Sequence, residues 1–101
     1  MPGDKETYTI EYLQRVITED IPKLDNKVKL IIQRKIEKLT NEPCLGYPLR
    51  GKLSGYYKLK ISKYRVVYKI INERLIILII AIGKRANSLI YKIAEKRIQI
   101  S

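Results

Sequence analysis

A chain of 101 residues that is 46% apolar is long enough for one small domain with a packed core. It has no His and a single Cys, Cys44, which rules out imidazole acid–base chemistry, a Cys/His metal set and an internal disulfide. Its formal charge of +11 is carried unevenly. Residues 1–44 hold eight Lys/Arg against eight Asp/Glu, whereas residues 45–101 hold thirteen Lys/Arg against only Glu73 and Glu95. A cationic half of this kind points to a polyanionic partner, with nucleic acid favoured over an anionic membrane or an acidic protein.

Residues 1–6 read as a disordered lead-in, with no basic leader and apolar stretch of the kind that directs secretion. Tyr8, Ile10 and Tyr12 then alternate with polar positions, which predicts a short strand. A brief helix follows, with Pro22 limiting its length or lying in its first turn. Asp25 is a good N-cap for a stronger helix over residues 26–40. There Val28, Ile31, Ile32, Ile36 and Leu39 recur at helical spacing, and Lys27, Lys29, Arg34, Lys35 and Lys38 fill the outer positions. Glu42-Pro43 and Gly46-Tyr47-Pro48 mark the loop that ends this helix. Cys44 lies in that loop with no His to activate it, and reads as a loop or core position.

From Leu49 the hydrophobic period changes from helix to strand. Tyr57, Leu59 and Ile61 alternate with Lys58 and Lys60, and after the short Ser62-Lys63 connection residues 64–71 form a second β-branched run. Asn72-Glu73 reads as a two-residue turn. Residues 75–82 are nearly all apolar, as in a central strand covered on both faces, and far too short to cross a bilayer. Gly83 ends that run. Asn87 or Ser88 then caps a terminal helix over residues 89–98, with Ile90, Ile93, Ala94 and Arg97 at helical spacing. The prediction is an α+β domain over residues 1–101. Its antiparallel sheet combines the N-terminal strand with a C-terminal meander of three to four strands, packed with two N-terminal helices and one C-terminal helix. Cysteine usage and the absence of a leader or membrane span predict a cytoplasmic address.

The basic residues can be placed on that sheet. A two-residue turn at Ser62-Lys63 sets Lys60 opposite Arg65, and Lys58 shares the face of Lys60 because strand side chains repeat with period two. Like charges opposite one another destabilise a sheet, so this patch predicts an anionic ligand rather than a stability role. The predicted turn at Asn72-Glu73 would pair Arg65 with Ile80 and bring Lys84 and Arg85 near the same edge. Tyr91, early on the terminal helix, either packs on the sheet or stacks a base beside the cations. No Gly-rich phosphate loop is present, and a two-carboxylate nuclease site is not predicted. Any catalysis at the patch therefore falls to Lys and Arg. RNA permits this, because its own 2′-OH can attack the adjacent phosphate. The protein must then supply a base, cations around the phosphorane and a grip that enforces in-line geometry. Lys60, between Lys58 and Arg65, is placed to be that base, and Arg suits phosphate oxygens through its planar fork.

The ordered set Leu49-Arg50-Gly51, Tyr57-Lys58-Leu59-Lys60-Ile61, Tyr64-Arg65-Val66-Val67-Tyr68, Ile82-Gly83-Lys84-Arg85, Tyr91 and Lys96-Arg97-Ile98 resembles the core of RelE toxins. The likeness is strong from about residue 49 onward and looser before it. It implies the RelE-like fold and a type II toxin that cleaves messenger RNA in the ribosomal A site, without metal or cofactor, and so inhibits translation. It implies that Lys60 is the general base, assisted by Lys58, that Arg65 stabilises the transition state, that Arg85 serves the leaving group and that Tyr91 orients a nucleotide. Arg50 matches a position that contacts ribosomal RNA, and Lys52, Lys63 and Lys84 extend the basic set as RNA- or ribosome-binding candidates. A cognate antitoxin that blocks the site, often by displacing the terminal helix, is also implied; a membrane or small-molecule partner is not. One departure is the Lys60–Arg65 connection, which is about two residues tighter than in the best-known member. Two rival readings are a ParE-like inhibitor of DNA gyrase and an inactive RNA- or ribosome-binding module.

Overall fold

The computed structural model describes residues 7–100, so the lead-in predicted for residues 1–6 lies outside the described residues. Strand β1 (Thr9–Tyr12) is followed by a π-helical turn at Val16–Asp20 and a 3-10 turn at Ile21–Lys23, where Pro22 occupies an opening position that needs no N–H donor. These two turns stand where the brief first helix was predicted. Helix α1 (Asn26–Glu37) starts at Asp25, whose Oδ1 accepts from the Val28 N–H at 2.9 Å. Its inner face buries Ile32 and Ile36, and Leu39 follows in a 3-10 turn at Lys38–Thr40. Ile31 departs from the predicted core stripe and is 52% exposed beside Leu30, because the buried stripe follows Val28, Ile32 and Ile36.

The remaining strands are β2 (Tyr47–Pro48), β3 (Tyr56–Ile61), β4 (Tyr64–Ile71) and β5 (Ile76–Lys84), and helix α2 (Leu89–Ile100) closes the described chain. The sheet order is β1-β5-β4-β3-β2. Strands β2 to β5 form the antiparallel meander, whereas β1 joins the far side of β5 in parallel, pairing Thr9 with Ile76 and Tyr12 with Ile79. Strand β5 thus has a neighbour on each side and an apolar layer on each face, as its continuous hydrophobicity predicts.

One layer lies beneath α1 and contains Leu59, Ile61, Val66, Tyr68, Ile77, Ile79 and Ile82; the other lies beneath α2 and contains Val67, Ile80, Ala81, Ile90 and Ala94. Both Ile80 and its neighbour Ala81 belong to the α2 layer, which strict alternation forbids. A bulge between Val67 and Tyr68 of β4 and residues Ile79 to Ala81 of β5 resolves this by leaving Ile80 without a cross-strand partner.

The bulge also corrects the predicted register. Asn72–Arg74 form a 3-10 turn and Leu75 adopts a left-handed conformation (φ 53°), so pairing resumes at Ile71–Ile76 rather than after two residues. With the bulge, Arg65 faces Gly83 instead of Ile80. Gly83 does not end the strand either, since β5 runs on to Lys84. A Cβ at Gly83 would come within 3.1 Å of Ile90 Cδ1, so the glycine lets α2 pack directly on β5.

Candidate nucleic-acid interface

The β3–β4 hairpin has the predicted register: Ile61 pairs with Tyr64 across Ser62-Lys63, and Lys60 pairs with Arg65. Leu59 and Ile61 point into the α1 layer, so Lys58, Lys60 and Arg65 lie on the opposite face, which they share with α2. Lys60 is exposed, while Lys58 and Arg65 are half-buried. The Lys58 ammonium stands 5.9 Å from the ring centroid of Tyr91, so the helix residue and the strand lysine meet. Arg65 curls back on the turn, where its Nη1 donates to the carbonyls of Ser62 (2.9 Å) and Tyr64 (2.7 Å).

The corrected β5 register carries the second cluster closer than the sequence predicts. Lys84 pairs with Tyr64, and the Arg85 N–H donates to the Lys63 carbonyl at 2.9 Å. Lys63, Lys84 and Arg85 consequently gather at the hairpin end, where with Asn87 and Ser88 they line a cleft of about 500 Å³. Arg50 and Lys52 are not part of that cluster. Arg50 precedes the 3-10 turn Gly51–Leu53 and Lys52 lies within it, before β3 begins, roughly 20 Å from the hairpin tip along six strand residues. The eight basic candidates are densest at the hairpin, with Tyr91 reaching them from α2, and none of the eight has a carboxylate partner among the described residues.

Two features of the site escape the sequence reading. The first is Tyr47, predicted only as loop. It forms β2, pairs with Lys58, and places its ring 4.7 Å from the Lys60 ammonium. The second is Arg97, which the helical period places on the buried face but for which no partner is predicted. Its guanidinium grips Asp20 with two bonds, Nη1–Oδ2 at 2.7 Å and Nη2–Oδ1 at 2.8 Å, and Nη1 also donates to the Ile80 carbonyl at 3.0 Å. Asp20 Oδ2 in turn accepts from the Ile82 N–H at 2.8 Å. Where β1 stops at Tyr12, this pair takes over the hydrogen bonding of the uncovered β5 edge. Arg97 is 5% exposed and Asp20 7%, and the hydrogen bonds to Asp20 hold the Arg97 pKa above its ordinary value. The only sequence signal was a charged residue in an apolar stripe, at Arg97.

The family model for the ParE toxin of type II toxin–antitoxin systems, parDE, matches residues 9–98. The mRNA interferase toxin RelE of Escherichia coli strain K12 is 33% identical over 93 residues, 90% of this chain and 97% of that protein. The chain belongs to the RelE family of toxins. Solved RelE-family structures agree in fold. A variant of E. coli RelE in the free state superposes with a TM-score of 0.76 at 29% identity, covering 91% of this toxin and 98% of that chain. The toxin–antitoxin complex RelBE2 of Mycobacterium tuberculosis gives 0.71 at 26% identity, covering 81% and 95%. No helix among the toxin's described residues is long and apolar enough to cross a membrane. Cys44 is exposed in its loop.

Proposed function

We propose that this RelE-family toxin is an endoribonuclease that cleaves messenger RNA in the ribosomal A site, without metal or cofactor, and so inhibits translation. The observation that carries the reading is the convergence of Lys58, Lys60 and Arg65 on the face that α2 shares, with Tyr91 against Lys58 and Arg85 bonded to the hairpin turn. Its 33% identity to an mRNA interferase supports the same activity. Lys60 takes the proton from the 2′-OH, the 2′-oxygen attacks the adjacent phosphorus, and the bond to the 5′-oxygen breaks as that oxygen takes a proton from water. The products are a 2′,3′-cyclic phosphate and a 5′-hydroxyl. Lys58 adds positive charge beside Lys60. Arg65 exchanges a turn carbonyl for a phosphorane oxygen, Arg85 serves the leaving-group side, and Tyr91 orients a base. Arg50, Lys52, Lys63 and Lys84 hold RNA backbone, of the message or of the ribosome. The ribosome supplies the in-line geometry that an open cationic face alone does not enforce.

A cognate antitoxin is the second partner in this reading, as in the RelBE2 complex of a relative, and the setting is cytoplasmic. The test incubates the toxin with programmed ribosomes and message, with free message and Arg85→Ala as controls. Cleavage of ribosome-bound message only, lost in Arg85→Ala, is the expected result. No cleavage by folded toxin free of antitoxin would refute the reading and favour a gyrase inhibitor or an RNA-binding module.

A further inference from the structure

We infer that Tyr47 and the basic groove beside it form a second nucleotide subsite, in which a base of single-stranded RNA stacks on the Tyr47 ring at the β2 edge. For the identity of its ligand, this inference rests on the reading of the toxin as an RNA-cleaving enzyme.

Tyr47 is 55% exposed, the most open of the tyrosines beside the lysines, and its hydroxyl makes no hydrogen bond among the described residues. An aromatic ring left bare on an edge strand gains nothing from the core. Its position is nevertheless fixed. The Tyr68 hydroxyl donates to the Pro43 carbonyl at 2.7 Å and accepts from the Gly46 N–H at 3.0 Å, pinning the loop that leads into β2. Gly46 approaches β3 so closely that a Cβ there would collide with the Lys58 carbonyl and come within 2.8 Å of the Tyr68 hydroxyl. The ring is thus presented by a rigid support, as a stacking platform requires.

The surroundings have the chemistry of a nucleotide site. A groove of about 370 Å³ beside Tyr47 is lined by Lys35, Lys38, Leu59 and Lys60 together with Glu42 and Leu45, so it lies at the β2 edge on the α1 side of the sheet. Three ammonium groups suit phosphate, the ring and Leu45 suit the flat faces of a base, and Glu42 can accept from an exocyclic amine. The arrangement also mirrors the other end of the lysine pair. Tyr91 stands over Lys58 and Tyr47 over Lys60, with the two lysines roughly 7 Å apart along β3. A strand whose scissile phosphate lies over the lysines therefore finds one ring on each side, Tyr91 for one neighbouring base and Tyr47 for the other.

The test compares Tyr47→Ala and Tyr47→Phe with the unmodified toxin on programmed ribosomes, with thermal denaturation as a check on folding. Stacking is lost in the first variant and kept in the second. We expect KM to rise about tenfold in Tyr47→Ala with kcat little changed, and Tyr47→Phe to match the unmodified toxin. An unchanged KM in folded Tyr47→Ala would overturn the subsite. So would a fall in kcat with a displaced pH–rate profile at constant KM, since the ring would then act through Lys60 rather than on RNA. If Tyr47→Ala does not fold, the double variant Lys35→Ala/Lys38→Ala replaces it; it must also raise KM, and an unchanged KM would overturn the groove.

Binding of a short 2′-O-methyl RNA, which cannot be cleaved, separates this inference from the reading on which it rests. If the unmodified toxin cleaves nothing yet binds this RNA more tightly than Tyr47→Ala does, the subsite stands and the nuclease reading falls. Equal or undetectable binding by both would refute the subsite.

Discussion

Arg85 precedes helix α2 and Arg97 lies in its last turn, and the fold treats them in opposite ways. Arg97 is enclosed, bound at both ends of its fork to Asp20 and tied to the bulged Ile80 carbonyl. Arg85 is exposed and held in place through its backbone, with no carboxylate near its guanidinium among the described residues. The first cation is paired through its two terminal nitrogens, with Nε left unbonded, and serves architecture. The second is positioned through its backbone and open to solvent, where a ligand can reach it. The same contrast divides the cationic half of the sequence, so net charge alone overstates the interface by at least the buried residue.

The contrast breaks down if stability and activity move together, and the largest effect should fall on activity. Lys60→Ala and Arg85→Ala should each lower ribosome-dependent cleavage by about a hundredfold or more, while leaving unfolding free energy within about 0.5 kcal/mol. Parallel cleavage assays and urea titrations check this. Arg97→Ala should behave in the reverse order. Stranding the Asp20 carboxylate at a buried strand edge should cost about 3–5 kcal/mol, read as a lower urea midpoint. The double variant Asp20→Asn/Arg97→Met should recover part of that loss, because no uncompensated charge is left inside.

The loop that carries Tyr47 gives a smaller effect with a pH signature. Burial pushes the Tyr68 phenol up to about 12, against an ordinary value of 10.0. The folded protein thus favours the protonated phenol, so this stabilisation is complete below pH 10 and fades as pH rises from 10 through 12. The shift corresponds to roughly 2–3 kcal/mol. Tyr68→Phe should cost about 1–3 kcal/mol at neutral pH by leaving the Gly46 N–H and Pro43 carbonyl unpaired. It should also show a shallower loss of stability between pH 10 and 12 than the unmodified toxin. The smallest effect belongs to the hairpin turn. Ser62 sits at φ 54°, a conformation that Asn tolerates better, so Ser62→Asn should raise stability by at most about 1 kcal/mol without altering cleavage.

What could be read from the sequence was local. The Asp25 cap, the α1 stripe apart from Ile31, the Lys60–Arg65 pairing and the buried character of β5 each follow from neighbours within a few residues. The β5 register was not legible, because it depends on Leu75 accepting a left-handed conformation and on a bulge that makes neighbours Ile80 and Ala81 face the same layer. The parallel pairing of β1 was equally hidden, since a short alternating run carries no mark of its partner's direction. Asp20 and Arg97 are far apart in sequence, and only the packing of α2 on β5 shows that they meet. Tyr47 was masked by a Gly-Tyr-Pro loop signature that conceals a two-residue strand.

The sequence distance between Asp20 and Arg97 also separates a locally closed part of the molecule from one fastened by a long-range contact. Lys58, Lys60, Arg65, Lys84 and Arg85 all belong to a meander closed by short turns, whose contacts are local and cheap in loop entropy. Tyr91 reaches the cluster from α2, and α2 is fastened to the far edge of β5 by the long-range Arg97–Asp20 ion pair. Detachment of α2 would remove Tyr91 while the meander stays paired, and exchange of α2 amides ahead of those of β4 and β5 would report it. In that open form the cationic ladder would persist without its aromatic partner Tyr91, so one residue of the proposed site can leave while the sheet stays folded.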